Sequence, residues 1–147
     1  MTWLYLLFAF VAGAVIPFQA GANAQLAQWV HSPLRAAFVS FVVGTIALLV
    51  LSAFVFRPYP SAHRLGSAPW WVWIGGLLGA FYVVGSIVTA PKLGAATLIA
   101  LVIAGQTVAS LLVDQFGWVG FAERHVSAGR VAGMLLVLGG VALVRIF

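Results

Sequence analysis

Long apolar runs separated by short polar segments dominate the chain. About 20 apolar residues suffice for a helix to cross a bilayer, and each run is close to that length or longer. We predict five membrane-spanning helices, over residues 3–28, 33–56, 70–90, 93–115 and 128–146. The clearest separator is the segment 57–69, which carries three prolines and no apolar periodicity. The pattern predicts one domain, residues 1–147, folded as an all-α integral membrane protein with a five-helix bundle.

Composition supports this class and excludes others. Hydrophobic residues make up 64% of the chain and charged residues 6%, too few to cover the surface of a soluble protein. The formal net charge of +5 does not indicate a nucleic-acid partner, because the basic residues stand singly at the ends of apolar runs, where they act as topology anchors near lipid headgroups. There is no cysteine, and the three histidines lack metal-ligand spacing. We therefore predict no metal ion, no cofactor and, without a nucleophile and base pair, no catalytic residue or enzyme activity.

Local signals set several helix ends. Ser32 followed by Pro33 is typical of a helix start, and Ser127 is positioned to cap the fifth span. Pro91 and Lys92 are interpreted as a short turn that makes spans three and four an antiparallel hairpin.

Polar residues interrupt the first span, where lipid offers them no hydrogen-bond partner. Gln19 and Asn23 are four residues apart and share one helix face. Gln19 follows two residues after Pro17, where the helix is expected to bend. An unpaired amide in hydrocarbon costs roughly 2 to 7 kcal/mol, so both side chains should face other helices or a watered cavity. They either line a solute path or bond neighbouring helices together, and the sequence leaves both readings open.

The other spans supply further candidate groups. Ser40 lies in the second span, and the third contributes aromatic walls from Trp73 or Tyr82. In the fourth span a single polar stripe with steps of four carries Gln106, Ser110 and Asp114. Asp114 is either a possible proton site or an interfacial anchor paired with a loop arginine such as Arg124. The fifth span should serve packing or assembly.

Basic residues are nearly balanced across the membrane. With five spans, one side carries Arg57, Arg64, Arg124 and Arg130, and the other Arg35, Lys92 and Arg145. Four basic residues on one side against three on the other give little bias to insertion, so both orientations are expected. Two opposed copies would then form an antiparallel homodimer, a ten-helix inverted repeat. The alternative is that the weak bias is read correctly and one orientation dominates.

Five blocks carry a family resemblance over nearly the whole chain. They are IPFQAGANAQLAQ, SPLRAAFVSFVVGT, PWWVWIGGLLGAFYV, LGAATLIALVIAGQTVASLLVDQFGWVG and a glycine-rich last helix. In order and spacing they resemble the YdcZ-type family of the drug/metabolite transporter superfamily. The resemblance implies a five-helix unit of the bacterial inner membrane, related to small multidrug resistance exporters, and its matching blocks contain Gln19, Asn23, Ser40, Gln106 and Asp114. Those exporters use a glutamate in the first helix to exchange protons for cations. The first helix here has no acid, which puts such coupling in doubt.

Together these features predict a transporter of small molecules that works by alternating access. The predicted substrate-binding residues are Gln19, Asn23, Ser40, Trp73, Tyr82, Gln106 and Ser110. Because their polar groups are mainly neutral amides and hydroxyls, they favour a neutral or zwitterionic, partly apolar solute. Two alternatives stay open: a passive dual-topology channel, and a membrane assembly protein that transports nothing.

Overall fold

The computed structural model describes residues 2–55 and 61–147, and within these ranges it contains helices and no strand. The helices are α1 (Thr2–Trp29), α2 (Pro33–Val55), α3 (Ala62–Gly66), α4 (Ile74–Leu93), α5 (Ala95–Phe116) and α6 (Ala128–Ile146), with 3₁₀ turns at Trp70–Trp73 and Trp118–Gly120. Five stretches of the described chain are long and apolar enough to span a membrane: Thr2–Trp29, Pro33–Phe54, Trp70–Leu93, Ala95–Phe116 and Ala128–Ile146. The prediction of an all-α protein with five such helices is confirmed. Phe56, the predicted end of span two, and residues 57–60 of the polar loop lie outside the described residues.

The junction between α1 and α2 forms as the sequence predicts. α1 runs through Pro17 without a break and ends at Trp29. The backbone N–H of Ser32 then donates to the Ala27 carbonyl at 3.1 Å, while His31, the middle of the three residues between the two helices, takes a left-handed φ of 54°. The Ser32 hydroxyl accepts the backbone N–H of Arg35 at 3.3 Å, which confirms it as the cap of α2.

The turn expected at Pro91 and Lys92 is wrong. α4 continues through Pro91 to Leu93, and the chain breaks at Gly94, whose φ is +76°. Proline removes one backbone donor from the last turn but already has helical φ, whereas the positive φ that ends this helix is open to glycine without steric cost. Glycine, and not proline, therefore sets this boundary.

The chain divides into two compact units, Met1–Lys92 and Leu93–Phe147. In the first unit, a small cluster of Ala36, Ala37, Val83 and Ile87 joins α2 to α4, with Leu26 and Ala27 of α1 packed against it. Most large apolar side chains on these helices are exposed, as expected where the surrounding solvent is lipid.

The second unit pairs α5 with α6. Ser127 caps α6 by accepting the backbone N–H of Arg130 at 3.3 Å, as predicted. In α6, which is described throughout, no residue is buried.

Candidate functional site

A cavity of about 230 Å³ opens in the first unit. It is lined by Gln19, Ser40, Phe41, Gly44, Thr45, Leu48 and Val83. We call it the Gln19 cavity. The structure thus brings together two predicted site residues, Gln19 of α1 and Ser40 of α2, beside an apolar wall from Val83 of α4.

Helix periodicity explains how α2 builds its side of this cavity. Ser40 and Gly44 are one turn apart, as are Phe41 and Thr45, so the four residues form one continuous face. Gly44 leaves room for a ligand because it has no side chain. The Phe41 ring closes toward α4, where a Cβ added to Gly79 would lie 3.6 Å from the ring's Cζ atom.

The chemistry of the Gln19 cavity is neutral. Gln19 offers an amide donor and acceptor, and Ser40 and Thr45 each offer a hydroxyl. Phe41 and Leu48 offer apolar contact. Such a lining can hydrogen-bond a partly apolar solute in several orientations.

Asn23 lies one turn beyond Gln19, but it is buried. Its side chain is 6% exposed, and its Nδ2 atom has no hydrogen-bond partner among the residues that the structure describes. The Tyr82 hydroxyl is in the same condition within those ranges, while the body of Tyr82 packs against the Ala36 and Val83 cluster. A buried donor without a partner costs about 1 to 3 kcal/mol. Both groups therefore keep an unused hydrogen-bonding capacity within the described ranges.

Five of the seven predicted substrate-binding residues lie outside the Gln19 cavity: Asn23 and Tyr82, described above, and Trp73, Gln106 and Ser110. Trp73 is 59% exposed at the end of the 3₁₀ turn that precedes α4. Gln106 and Ser110 belong to α5 in the second unit, where both are exposed. The Ser110 hydroxyl donates to the Thr107 carbonyl at 2.9 Å, so its proton is used within its own helix.

Asp114 is held at the end of α5 by two connections. Its carboxylate forms an ion pair with the guanidinium of Arg130, and the two side chains are 24% and 31% exposed. Its carbonyl accepts the backbone N–H of Arg124 at 2.7 Å. The expected pairing with the Arg124 side chain is therefore wrong: the charge partner is Arg130, which Ser127 places in the first turn of α6. Arg130 also donates to the Arg124 carbonyl at 3.0 Å, which ties the loop to both helices.

Sequence reasoning missed two groups. Thr45 contributes to the Gln19 cavity, and its signal was a hydroxyl one turn from Phe41 inside an apolar span. Gln115 fixes the loop before α6, since its Oε1 atom accepts the Val126 backbone N–H at 2.7 Å and its Nε2 atom lies 3.4 Å from His125 Nδ1. Within the described ranges, no three histidine or acidic side chains gather where they could hold a metal ion.

Comparison with known proteins agrees with this architecture. Residues 4–143 match the family described as "Putative inner membrane exporter, YdcZ". The chain is 30% identical over 142 residues to the inner membrane protein YdcZ of Escherichia coli (strain K12), an alignment that covers 97% of this chain and 95% of that protein. No solved structure matches the chain. With five apolar helices and nearly full-length similarity, the chain belongs to the YdcZ family of multi-pass bacterial inner membrane proteins.

Proposed function

We propose that this protein moves small molecules across the inner membrane by alternating access, as an antiparallel homodimer. The observation that carries the proposal is the Gln19 cavity, in which polar side chains of two spans, Gln19 of α1 and Ser40 and Thr45 of α2, line one space. Polar groups at membrane depth are costly, and they are tolerated where they meet protein partners or line a water-filled path. The description of the family as an exporter also supports a function in transport.

A second copy would complete the site. At about 230 Å³ the Gln19 cavity is smaller than the roughly 300 to 1,000 Å³ typical of ligand pockets, as expected for half of a shared site. The near balance of basic residues supports insertion in both orientations, and two opposed copies would supply the inverted repeat that many secondary transporters use. In this proposal the exposed Gln106 and Ser110 of α5, together with Trp73 and Tyr82, join the lining during the cycle.

Counterflow in liposomes tests the proposal. The protein is reconstituted and preloaded with unlabelled solute, and entry of labelled solute is followed for the zwitterion phenylalanine, the neutral nucleoside thymidine and the cation tetraphenylphosphonium. We expect saturable counterflow of at least one of the first two solutes. Gln19→Leu and Ser40→Ala should lower it about tenfold or more, because each removes a hydrogen-bonding group from the cavity.

The control is Gln25→Leu, which removes the same amide from an exposed position of α1 outside the Gln19 cavity. It should leave counterflow unchanged. Flux without saturation or counterflow would indicate a passive channel. If Gln19→Leu lowers thermal stability but alters no solute flux, the Gln19 amide only bonds neighbouring helices together and the protein serves assembly.

A further inference from the structure

A second cleft lies toward the loop ends of the same three spanning helices. It measures about 340 Å³, and the residues that matter for its chemistry are Gln28, His31, Ser32, Ile87, Val88 and Lys92. We call it the His31 cleft. α1 ends at Trp29, α2 begins at Pro33 and α4 ends at Leu93, so this cleft opens at the level of one membrane surface.

One buried layer separates the His31 cleft from the Gln19 cavity. It consists of Asn23 on α1, Ala36 and Ala37 on α2, and Val83 and Ile87 on α4, each less than 9% exposed. On α1 and α2 this layer falls between the positions that line the cavity and those that line the cleft. On α4 its two members are lining residues, Val83 of the cavity and Ile87 of the cleft.

The layer is thin. On α1, Gln19, which lines the cavity, and Ala24, which lines the cleft, are five positions apart, or about 7.5 Å along the helix axis. Two of its members are alanines, so little volume blocks the way. Two polar residues are buried at this level: Ser86 of α4 donates its hydroxyl to the Val83 carbonyl at 2.8 Å, whereas the Nδ2 donor of Asn23 finds no acceptor in the part of the chain that the structure describes. Along α1, the unused donor of Asn23 therefore lies at a position between the residues that line the two spaces.

The charge of the cleft is uncompensated within its own unit. Residues 1–92 contain no aspartate or glutamate, because the only two acids of the chain are Asp114 and Glu123. Lys92, whose side chain carries an ammonium group, is one of the lining residues, and His31 and Gln28 add N–H donors. Ile87 and Val88 supply an apolar floor. This combination suits an anionic group on a partly apolar molecule.

We propose that the His31 cleft binds the carboxylate or phosphate group of the transported solute, as a second site on the path through the Asn23 layer to the Gln19 cavity. The proposal rests on the proposed transport function and extends it, since it adds an acidic group to the solute. Lys92 holds the anion at the membrane surface. The Asn23 amide then donates to it as the layer opens, and the neutral Gln19 cavity takes the remainder of the molecule.

Three probes of one size test the charge requirement: the anion benzoate, the neutral benzamide and the cation benzylamine. Binding is measured by thermal shift and by tryptophan fluorescence on purified protein in a neutral detergent. We expect benzoate to bind about tenfold or more tightly than the other two, because a charge-assisted contact is roughly twice as strong as a neutral one. Lys92→Gln should lower benzoate affinity by about tenfold, whereas Lys92→Arg should retain it.

Arg64→Gln is the matched control, because it removes a basic side chain of the same unit from α3, away from the cleft residues. It should not change benzoate affinity. The proposal is overturned if benzoate does not bind, if it binds no better than benzamide, or if Lys92→Gln binds it as the unaltered protein does.

A lipid headgroup carries the same chemistry, so a second arm separates the two sources. Protein is placed in nanodiscs of phosphatidylcholine alone or with phosphatidylglycerol. If phosphatidylglycerol retention depends on Lys92 and benzoate has no effect, the cleft is a lipid site and the proposal fails. Benzoate binding without any counterflow would retain the anion site but remove transport, whereas counterflow of other solutes without benzoate binding would remove only the anion site.

Discussion

The first unit contains two buried side-chain groups without a partner among the described residues, whereas the polar side chains at the end of α5 in the second unit are paired. In the second unit, Asp114 pairs with Arg130, and the Gln115 amide oxygen accepts the Val126 backbone N–H. In the first unit, the buried Asn23 Nδ2 atom and the Tyr82 hydroxyl have no partner among the described residues. The second unit therefore uses its polar chemistry to fix a loop against two helices.

Charge follows the same division. Both acids of the chain belong to the second unit, and the first unit has basic residues only. An unpaired buried donor costs about 1 to 3 kcal/mol, and a fold keeps such a cost where another molecule can satisfy the group. Our hypothesis is that the first unit meets the solute and that the Asp114 junction of the second unit is structural.

The largest contrast is expected in the reactivity of introduced cysteines, which the chain otherwise lacks. A small charged thiol reagent should modify Gln19→Cys about 100-fold faster than Leu136→Cys, because only a thiol that water reaches forms the reactive thiolate. Leu136 is 77% exposed, but on an apolar spanning helix that exposure is to lipid. Asn23→Cys should react slowly at rest and faster during counterflow. Equal protection of all three would mean that the amides are buried between helices.

Removing the charge of Asp114 should cost stability. Asp114→Asn keeps the shape of the side chain but breaks its ion pair with Arg130, so we expect a loss of about 2 kcal/mol in detergent unfolding. Arg130→Gln should lose a similar amount, and the double variant should lose little more than either one. Glu123→Gln is the control, because Glu123 is exposed and its loss should change stability little.

Transport by Asp114→Asn separates the anchor from a proton site. If Asp114 is only an anchor, solute exchange and its response to a proton gradient should both persist in liposomes. A variant that folds and exchanges solute normally but has lost every response to pH would identify Asp114 as the proton site and contradict the structural role.

The orientation of the protein in the membrane should depend on a small number of basic residues. A reporter fused after Phe147 should give signal on both sides of the membrane, because four basic residues oppose three. Adding two arginines at this end should shift the population several-fold toward a cytoplasmic C-terminus. A reporter that is one-sided beyond about 95% in the unaltered protein would contradict dual insertion and favour a parallel dimer or a different partner chain.

The sequence predicted the parts of this molecule that the bilayer itself dictates. Five apolar runs gave five helices because hydrocarbon leaves no alternative to internal backbone hydrogen bonding. Ser32 and Ser127 were recognisable as caps because that bond is local, within three residues. Gln19 and Ser40 were recognisable as residues that face the inside of the unit, because polar groups in apolar spans must find partners.

The predictions that failed concerned backbone conformation and contacts between distant parts of the chain. The turn at Gly94 was missed because proline is a stronger sequence signal than glycine, although only glycine adopts the required φ at no cost. The partner of Asp114 was missed because Arg130 lies sixteen residues away, and the loop between them decides which arginine reaches back. The burial of Asn23 was not foreseeable from its helix face, since Gln19 on the same face is exposed.

The smallest predicted effect compares the same kind of substitution in the two units. Gln115→Leu removes the acceptor of the Val126 backbone N–H and should destabilise the protein by about 1 kcal/mol. Asn23→Leu has about the same shape change but removes a buried donor that has no partner in the described ranges. It should leave stability unchanged or raise it by about 1 kcal/mol, because an apolar side chain avoids the cost of desolvating the amide. Both are measured by thermal unfolding in one detergent, with exposed Gln25→Leu as the reference for the substitution itself.

The same Asn23→Leu protein should then show reduced counterflow, since the solute loses the donor between cleft and cavity. If Asn23→Leu instead destabilises the fold as much as Gln115→Leu does, then Asn23 is a structural amide like its counterpart, and the division between the two units disappears.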